Sequence, residues 1–531
     1  MLLETIRHVE NSWMSIMEGR EMKRDVIIGL LCLVLVLSTT ILYAQQKPAP
    51  PKPVPPKPAY GGSLVIAQAV EPPGLDPTTA TSTAIPRVVY GNVLEGLVRI
   101  DREGKTVPCL ATEVRTSKDG KEYTFLLKKG VTFHDGKPFD AEDVKFTFDR
   151  LMDPKTIASH PEYYRDIESI RVVNSSTVAF KLKNVNAMFL FNLARGDSVI
   201  VNRLAADRLK SEPVGTGPFK FVEWIRGDHV TLSKFAGYHR KGLPYLDKVT
   251  FKFIADSSAQ IAGLKAGDID VIAYDVSPEN ALLLEKDPSF KVLNGYTTTK
   301  VVLSTNNSRK PFTDVRVRRA MAHAIDRSAL VKGAMSGYGV PVGSHMDPGN
   351  PYYVDLTSVY PYNPEKSKQL LTEAGYPNGF EAVIKLPDRY AYARRSGEIL
   401  ADMFSRVGIT LKIELIEWGQ WIERVFTNAD FDLTVIGHAE PFDINIYAKP
   451  TYYFRYDSPK FQETLKKAEM TADPKARKDL YVACQKILAE DAVNGFLFVM
   501  PSLPTMKKGV MNWWKDYPMT VADATEVWLQ K

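Results

Sequence analysis

The sequence predicts an α/β protein folded as two or more lobes. Its 531 residues exceed what a single hydrophobic core usually supports. The composition, 44% hydrophobic and 24% charged, is typical of a globular chain and excludes extensive disorder. In residues 300–330, β-forming residues lead through a turn into an amphipathic helix, which is the alternation expected of an α/β core.

Residues 300–330 are the segment around which the rest of the chain is organised. Residues 301–303 are β-formers, and Asn306 and Asn307 favour a turn after them. Thr313 or Asp314 then caps a helix, and Asp326 caps a second one. The apolar positions of the first helix recur at helical spacing: Val317, Ala320, Met321, Ala324 and Ile325.

Charge and cysteine content exclude several classes of protein. The net charge is +6 without long basic runs, which argues against a nucleic-acid partner because phosphate binding needs clustered cations. Cys32 lies in an apolar stretch, so Cys109 and Cys484 could form at most one disulfide, and we expect two buried free thiols. Their spacing does not match a metal site.

Residues 1–46 are predicted to be an export signal or a membrane anchor. An almost unbroken apolar run, 26–43, follows Lys23 and Arg24. Met22 would give a more conventional start than Met1. Cleavage after Ala44 and an uncleaved anchor both stay open, because 18 apolar residues can just span a bilayer. Both interpretations place the rest of the chain in the periplasm or on the outer face of the cytoplasmic membrane.

Residues 47–59 are predicted to be an extended tether. Seven of these thirteen residues are proline. Proline prevents regular helix and sheet hydrogen bonding, so the segment should form a polyproline spacer of roughly 40 Å at about 3.1 Å per residue.

The folded part continues to alternate between strand and helix signals. A strand follows Gly62, and a rigid loop with three prolines follows Glu71. Residues 87–94 predict a helix, and Asp140 with Asp143 supplies anions for the start of another helix. The remaining signals are strands at 98–100, 123–127 and 219–222, a tight backbone bend at Gly215 and Gly217, a helix at 257–265 ended by Gly267, and a helix from Pro364 stopped by Gly375.

Several short blocks in a fixed order carry a resemblance to a known family. The blocks are Leu75-Asp76-Pro77, Phe133-His134-Asp135-Gly136 with Asp143-Val144, Gly215-Thr216-Gly217-Pro218-Phe219, Gly267-Asp268-Ile269-Asp270, Arg318-Arg319-Ala320 with Ile325-Asp326, and Tyr362-Asn363-Pro364-Glu365-Lys366 before Ala374-Gly375-Tyr376. Together they make the chain from residue 61 onward resemble the family 5 extracellular solute-binding proteins of ABC importers, which include oligopeptide-, dipeptide- and nickel-binding proteins.

The resemblance implies a two-lobed fold like that of class II periplasmic binding proteins, with an extra sub-domain and two crossover strands. The implied boundaries are 60–300 for lobe I with a sub-domain at about 106–214, 301–494 for lobe II, and 495–531 for the return to lobe I. The crossovers are expected at 300–307 and 496–501, with Asn306 and Asn307 at the hinge. The ligand is then expected in the cleft between the lobes.

The segment 431–444 is the first candidate for a ligand-binding loop. It is a strand that runs into Gly437, His438, Glu440 and Asp443. In peptide-binding relatives this loop begins Gly-Trp and carries an aspartate for the peptide ammonium, whereas here the tryptophan position is His438 and the aspartate position falls at or beside Pro441. Either Glu440 replaces that anchor, or the pocket suits a ligand without an amine, and Asp443 could equally cap the following turn.

Five further residues are candidate ligand contacts. Trp418 matches an aromatic pocket position of the family and offers stacking area and an N–H donor. Trp421 lies three residues later, where a core position is also plausible. Glu71 matches a ligand-contacting segment of relatives, and Tyr90, like His345, is a weaker candidate near the cleft.

Catalysis and metal binding are not predicted. No G-x-S-x-G elbow, P-loop or dinucleotide fingerprint occurs, and the eight histidines form no HxH or HxxxH pair. No cofactor and no direct metal ligand are expected. The predicted function is capture of a small solute, most often a peptide in this family, and delivery to an ABC permease with its ATPase. A tethered sensor, and an oligosaccharide or chelated-metal ligand, stay open as alternatives.

Overall fold

The computed structural model describes residues 56–274, 276–516 and 521–530. The predicted export segment and all of the predicted tether except residues 56–59 lie outside these ranges. Residues Pro58–Lys531 form one compact unit. None of the helices in the described ranges has the length and hydrophobicity that a bilayer crossing requires.

The strands and helices alternate along the chain. In order, the strands are β1 Ser63–Gln68, β2 Val98–Ile100, β3 Thr106–Pro108, β4 Ala111–Thr116, β5 Glu122–Leu127, β6 Ile167–Asn174, β7 Thr177–Leu182, β8 Phe219–Ile225, β9 His229–Lys234, β10 Lys248–Phe253, β11 Val271–Ile272, β12 Phe290–Val292, β13 Gly295–Thr305, β14 Val340–Pro341, β15 Phe380–Pro387, β16 Ile409–Ile416, β17 Leu433–His438, β18 Gly495–Ser502, β19 Thr505–Lys507, β20 Val510–Met511 and β21 Trp528–Leu529.

The helices connect and cover these strands. The α-helices are α1 Ala84–Val89, α2 Ala141–Met152, α3 Phe189–Leu193, α4 Ser257–Ala266, α5 Pro278–Leu284, α6 Val315–Ala324, α7 Arg327–Ala334, α8 Pro364–Glu373, α9 Ala391–Ser405, α10 Trp418–Gln420, α11 Pro459–Met470 and α12 Pro474–Glu490. A π-helical stretch, Trp421–Thr427, follows α10, and single 3-10 turns lie at Pro161–Tyr164, Thr357–Val359 and Ile444–Ala448.

Two large sheets divide the described chain. The first sheet has the order β12-β19-β11-β1-β10-β9-β8, and the second has the order β14-β18-β13-β17-β15-β16. Strand β1 is parallel to β10 and β11 at the centre of the first sheet, while β13 lies antiparallel to β17 and β18 at the centre of the second. Both central strands bury their apolar side chains, including Leu64 and Ile66 of β1 and Val301 and Leu303 of β13.

A third sheet, β4-β5-β7-β6, stands apart with its own core. Helix α2 packs on it through Val144, Phe148 and Leu151, which join Phe125 and Phe180 of the strands. Asp140 caps this helix by accepting from the Glu142 and Asp143 amides, and the Asp143 carboxylate accepts from the Asp140 amide in return. The expected anions at this helix start are confirmed.

The chain passes twice between the two large sheets. It leaves the first sheet after β12 at Val292 and enters the second at Gly295, where β13 begins. It returns after β18 at Ser502 and re-enters the first sheet at Thr505. Strands β13 and β18 pair with each other, so the two passages lie side by side.

The segment 300–330 folds as its residue pattern predicts. Asp314 caps α6 by accepting from the Arg316 amide, and Asp326 caps α7 by accepting from the Ala329 amide. Val317, Ala320, Met321, Ala324 and Ile325 are all buried. The amphipathic spacing therefore gave the correct buried face of this helix.

The structure corrects two local predictions: the reason for the glycines at 215 and 217, and the bounds of the helix predicted at 87–94. Gly215 and Gly217 were expected to permit a tight bend, but neither has a positive φ; a Cβ on Gly215 would lie 1.9 Å from the carbonyl oxygen of Val93. Close packing against the Asn92–Val93 backbone therefore requires glycine there. The helix predicted at 87–94 is α1, which ends at Val89 because Tyr90 is already extended, with ψ 132°. Gly91 then adopts φ +73°.

The thiols of Cys109 and Cys484 are free and buried, as expected. Gly267 ends α4 in the left-handed conformation with φ 93°, which confirms its predicted role as a helix cap.

Candidate ligand-binding cavity

A cavity of about 460 Å³ lies beside the two passages, between the first and second sheets. Thr297, Thr298 and Thr299 of β13 line it together with Pro501 and Ser502 of β18. The wall on the side of the first sheet is formed by residues of α1, of the loop after β11 and of several further loops. It includes Arg87, Arg195, Asp197, Tyr274, Trp513 and Trp514. The volume lies in the range of small-molecule sites.

The loop after β17 supplies the opposite wall through Ala439, Glu440 and Pro441. Strand β17 pairs with β13, which puts Lys300 opposite His438 and Val301 opposite Gly437. The Thr298 hydroxyl donates to the Ala439 carbonyl oxygen at 2.8 Å, and the Lys300 ammonium donates to the Glu440 carbonyl oxygen. The backbone of this wall is therefore fixed to the central strand of the second sheet.

The Glu440 carboxylate reaches across to the side of the third sheet. The Tyr163 hydroxyl donates to Glu440 Oε2 at 3.3 Å, and Arg195 Nη1 lies 3.7 Å from the same oxygen. Arg195 is 13% exposed, its guanidinium covers the Tyr163 ring at 4.8 Å, and it donates to His160 Nε2 at 3.1 Å. An aromatic and ionic contact thus joins the Glu440 wall to the Arg195 side of the cavity.

Arg195 lies between two carboxylates. Besides Glu440, Asp197 Oδ1 lies 3.9 Å from Arg195 Nε. Burial raises the pKa of Asp197, and the Arg195 charge opposes that rise. The positive charge of Arg195 is therefore largely compensated within the protein.

Arg87 lies in a different environment on the cavity wall. Its guanidinium carbon is 4.5 Å from the centroid of the Tyr274 ring, a cation–π geometry. Its Nε is buried and has no hydrogen-bond partner among the described residues. Helix α1 carries Arg87, and the Ala522 amide donates to the Arg87 carbonyl oxygen, so the backbone is held on both sides.

A buried cluster of Lys300, His345, His438 and Asp443, here called the Asp443 cluster, lies behind the Glu440 wall. Lys300 Nζ is 2.8 Å and His345 Nε2 is 3.0 Å from Asp443 Oδ1, and His438 Nδ1 is 3.6 Å from Oδ2. The side chains of Lys300 and His345 are fully buried. The cluster therefore joins β13, the segment around 345 and the cavity loop.

The charge states within the Asp443 cluster follow from burial and from Lys300. Burial lowers the pKa of His345 to about 4, so its ring is neutral at neutral pH. Burial alone would raise the pKa of Asp443, but the Lys300 ammonium and His345 outweigh it and hold that pKa well below its usual range. The cluster is therefore a buried Lys–Asp ion pair supported by neutral imidazole.

His345, His438 and Asp443 also have the chemistry of metal ligands. One ligand atom from each lies within 4.8 Å of the others. Sequence spacing could not show this group, since His345 and His438 come from distant segments. In this geometry the Lys300 ammonium supplies the positive charge at Asp443, while the Tyr447 and Tyr453 hydroxyls occupy the far nitrogens of His345 and His438 at 3.0 Å. The Lys300 ammonium at Asp443 suits an ion-paired network better than a bound cation, because it would repel a second positive charge there.

Comparison with known families decides the class of the molecule. Residues 105–476 match the model of bacterial extracellular solute-binding proteins, family 5. The chain belongs to this family. The resemblance predicted from the sequence is confirmed, and family 5 proteins are solute-binding components of ABC importers and not enzymes.

Individual relatives are similar to this protein over most of its chain. The glutathione-binding protein GsiB of Shigella dysenteriae is 30% identical over 460 residues, covering 83% of this chain and 89% of that protein. The solved structure of AgaA from A. tumefacien R10, in complex with agropinic acid, is 29% identical with a TM-score of 0.67, covering 88% of this chain and 99% of AgaA. DppA from Helicobacter pylori, in complex with the peptide STSA, is 28% identical with a TM-score of 0.68 and covers 89% of this chain and 99% of DppA. The fold is thus the two-lobed periplasmic-binding-protein type.

In this solute-binding protein, only part of the predicted site meets at the cavity. Glu440 lines it, and Gly437, His438 and Asp443 lie beside or behind the same wall. The Gly437 amide donates to the Tyr392 hydroxyl at 3.0 Å, and a Cβ there would lie 2.8 Å from Thr299 Cγ2.

The other predicted contacts lie outside the cavity lining. The Glu71 carboxylate accepts from Trp224 Nε1 at 2.9 Å and from the Gly227 amide, both within the β8–β9 hairpin. Tyr90 is 3% exposed, and its hydroxyl donates to the Ala194 carbonyl oxygen at 2.6 Å.

The two tryptophans stack on each other between β16 and β17, two strands of the second large sheet. The Trp418 and Trp421 rings are 5.0 Å apart and 5° from parallel. Trp421 is 3% exposed and its Nε1 donates to Thr434 Oγ1 at 3.0 Å. Trp418 is half-buried between Trp421 and Tyr390, so neither indole faces the cavity described here.

Asn306 and Asn307 lie at the end of β13 remote from the passage. Strand β13 has eleven residues, so Asn306 lies roughly 35 Å along the strand from Gly295. The Asn306 amide donates to the carbonyl oxygens of Ala429 and Phe431, and the Asn307 amide donates to Phe454. Both side chains therefore hydrogen-bond to segments that lie next to the second sheet.

Sequence reasoning missed Arg87, Arg195, Trp513 and Trp514 as cavity residues. They come from a short helix and two loops, and none belongs to a block that carried the family resemblance. The one available signal was composition: arginine and tryptophan are the side chains that most often dominate binding sites.

Proposed function

We propose that this solute-binding protein captures a small solute, with peptides as the leading class, in the cavity between its lobes and delivers it to an ABC permease with its ATPase. The observation that carries the proposal is the position of the cavity: both lobes line it, and it lies beside the two passages. A ligand there contacts both lobes at once, so its binding energy depends on their relative position.

The proposed lobes follow the sheets. Lobe I contains the first sheet and the third sheet as a sub-domain, and lobe II contains the second sheet. We place the hinge at the two passages, residues 293–294 and 503–504, because these are the two short links between the large sheets. Asn306 and Asn307 would then support the end of β13 in lobe II.

Relatives support the choice of ligand class. DppA is described in complex with a peptide, and GsiB is named as a glutathione-binding protein. The cavity lining adds the indole of Trp513 and hydroxyl groups from β13, which can hold a short polar chain. Export and anchoring through residues 1–46, with 47–59 as a spacer, complete the proposal and would keep the protein near its permease.

A thermal-shift panel tests this function. Peptides of two to five residues, glutathione, oligosaccharides and nickel chelates would be added to the purified protein, and a tight ligand raises the melting temperature by mass action. We expect a peptide or glutathione to give the largest shift. Thr298→Trp places an indole in the cavity and should abolish it, whereas Thr112→Trp on the exposed edge of the third sheet should not. If the ligand still raises the melting temperature of Thr298→Trp, the ligand binds at another site.

A further inference from the structure

We propose that the cavity selects solutes that carry a carboxylate group, and that Arg87 receives this carboxylate. The proposal rests on the proposed function, because it concerns the ligand of the same cavity. It concerns a residue that no sequence motif singled out, on the wall opposite the loop that carries Glu440.

The first step is the distribution of charge around the cavity. Arg195 is compensated by Asp197 at 3.9 Å and Glu440 at 3.7 Å. Lys515 has the Asp516 carboxylate at 3.8 Å. Arg87 forms no ion pair with any carboxylate in the described part of the chain, and its Nε is buried without a hydrogen-bond partner there. Among the described residues, no carboxylate therefore compensates the charge of Arg87.

The second step is the rigidity of Arg87. The guanidinium stacks 4.5 Å from the centre of the Tyr274 ring, and its backbone is part of α1. Stacking fixes the guanidinium plane, and a fixed plane presents paired N–H donors at the spacing of the two oxygens of a carboxylate. Little side-chain entropy remains to be lost when such a ligand binds.

The third step is the discrimination against cationic solutes. Among the described residues, the acids of the lining are Asp197 and Glu440, and both lie within 4 Å of Arg195. Asp197 Oδ2 has no hydrogen-bond partner in the described part of the chain but is buried, and Glu440 also accepts from Tyr163. A ligand ammonium would have to compete with Arg195 for either one. A ligand carboxylate at Arg87 meets no such competitor among the described residues, so the cavity favours an anionic group over a cationic one.

The experiment compares each acid with its neutral amide. The probes are Ser-Thr-Ser-Ala with a free carboxyl end and its C-terminal amide, and glutathione and its diamide, titrated calorimetrically into the full-length protein. The expected result for the unmodified protein is that each amide binds at least about tenfold more weakly than its acid, since a charge-assisted pair of hydrogen bonds is lost. In Arg87→Gln this ratio should fall to near one, and in Arg87→Lys part of it should remain.

Arg115→Gln is the matched control, because it removes the same charge from an exposed site on β4 and should leave the ratio unchanged. Amides that bind the unmodified protein as tightly as the acids would overturn the carboxylate proposal while leaving the proposed function intact, and so would a ratio that persists in Arg87→Gln. If Arg87→Gln fails to fold, the Arg87→Lys ratio decides: an undiminished ratio counts against recognition by the guanidinium fork. No binding of any probe would count against both proposals.

Discussion

Lys300 connects the cavity wall to the second large sheet. Its side chain is fully buried, and its ammonium reaches both the Asp443 carboxylate and the Glu440 carbonyl oxygen. Lysine is almost never fully buried unless it is paired, so the pair with Asp443 is what permits this placement. One buried ion pair therefore holds the loop that forms the front wall of the cavity.

Replacing Lys300 should destabilise the protein strongly. Lys300→Met leaves Asp443 buried without its cation, and breaking a buried pair in this way costs about 3–5 kcal/mol in the free energy of unfolding. Urea unfolding followed by circular dichroism measures the loss. Lys412→Met, on the exposed strand β16, is the control and should stay within about 0.5 kcal/mol of the unmodified protein. A loss below about 1 kcal/mol in Lys300→Met would show that the pair is not formed.

Buried neutral histidines should make stability depend on pH. Burial lowers the pKa of both His345 and His134 to about 4, whereas an unfolded histidine titrates near 6.5. Between these values the unfolded chain binds more protons, so stability is full above pH 6.5 and falls as pH drops toward 4. Asp347, whose pKa burial raises to about 6, opposes this trend below pH 6. Burial also raises the pKa of Asp143, Asp197, Asp523 and Glu469, so these acids oppose the trend too, and the histidine contribution is clearest between pH 7 and 6.

Urea midpoints measured from pH 7 to pH 4.5 test that dependence. We expect the free energy of unfolding to decrease by up to about 1.4 kcal/mol per pH unit for each net proton taken up. His345→Gln removes one titrating group and should reduce the slope while also lowering stability at pH 7. A slope unchanged by His345→Gln would mean that His345 titrates alike in the folded and unfolded states.

At the scale of elements, two glycines are required for different physical reasons. Gly267 adopts φ +93° at the end of α4, and a Cβ there would meet only Lys507 Nζ at 3.8 Å. Gly215 has no positive φ, but a Cβ would lie 1.9 Å from the Val93 carbonyl oxygen. The first position is restricted by backbone conformation and the second by packing.

The two glycines should therefore respond differently to alanine. Gly267→Ala should cost about 1 kcal/mol, the penalty of a left-handed residue with a Cβ. Gly215→Ala should cost about 3 kcal/mol or more, because the backbone of residues 92–93 must move. Thermal and urea unfolding of the two variants give the comparison. Equal losses would contradict the distinction.

Within the elements, sequence patterns predicted caps and buried faces well. Asp140, Asp314 and Asp326 cap helices where the sequence places them, because capping depends on residues within one turn. The reason for Gly215 was wrong, because its neighbour Val93 is more than a hundred residues away. Local rules carry no information about such a contact.

At the scale of the whole molecule, ligand binding should bring the lobes together. A solute in the cavity contacts both sides of the two passages, and its differential affinity for the closed arrangement sets the shift. Small-angle scattering should show a smaller radius of gyration when a saturating ligand from the thermal-shift panel is added. Thr298→Trp, which fills the cavity, should show no ligand-dependent change. Identical curves for the unmodified protein with and without the ligand would contradict closure.

The candidate site shows where prediction from sequence stops. The sequence pointed to Gly437, His438, Glu440 and Asp443 because they follow a buried strand in one continuous loop. It also pointed to Glu71, Tyr90 and Trp421, which instead bind their own lobe through side-chain hydrogen bonds. A residue type suited to binding is equally suited to an internal hydrogen bond, and only the neighbours in space tell the two apart.

The sequence by itself determined the family, the two-lobed α/β fold, the helix caps and the loop that forms one wall of the cavity. Each of these depends on residues that are close together in the chain. The tertiary structure alone decided that Lys300, His345 and Asp443 form one buried network, and that Arg87, Arg195 and Trp514 line the opposite wall. These residues are far apart in the chain, and the physical reason for their meeting is the double passage between two sheets, which brings distant loops to one place.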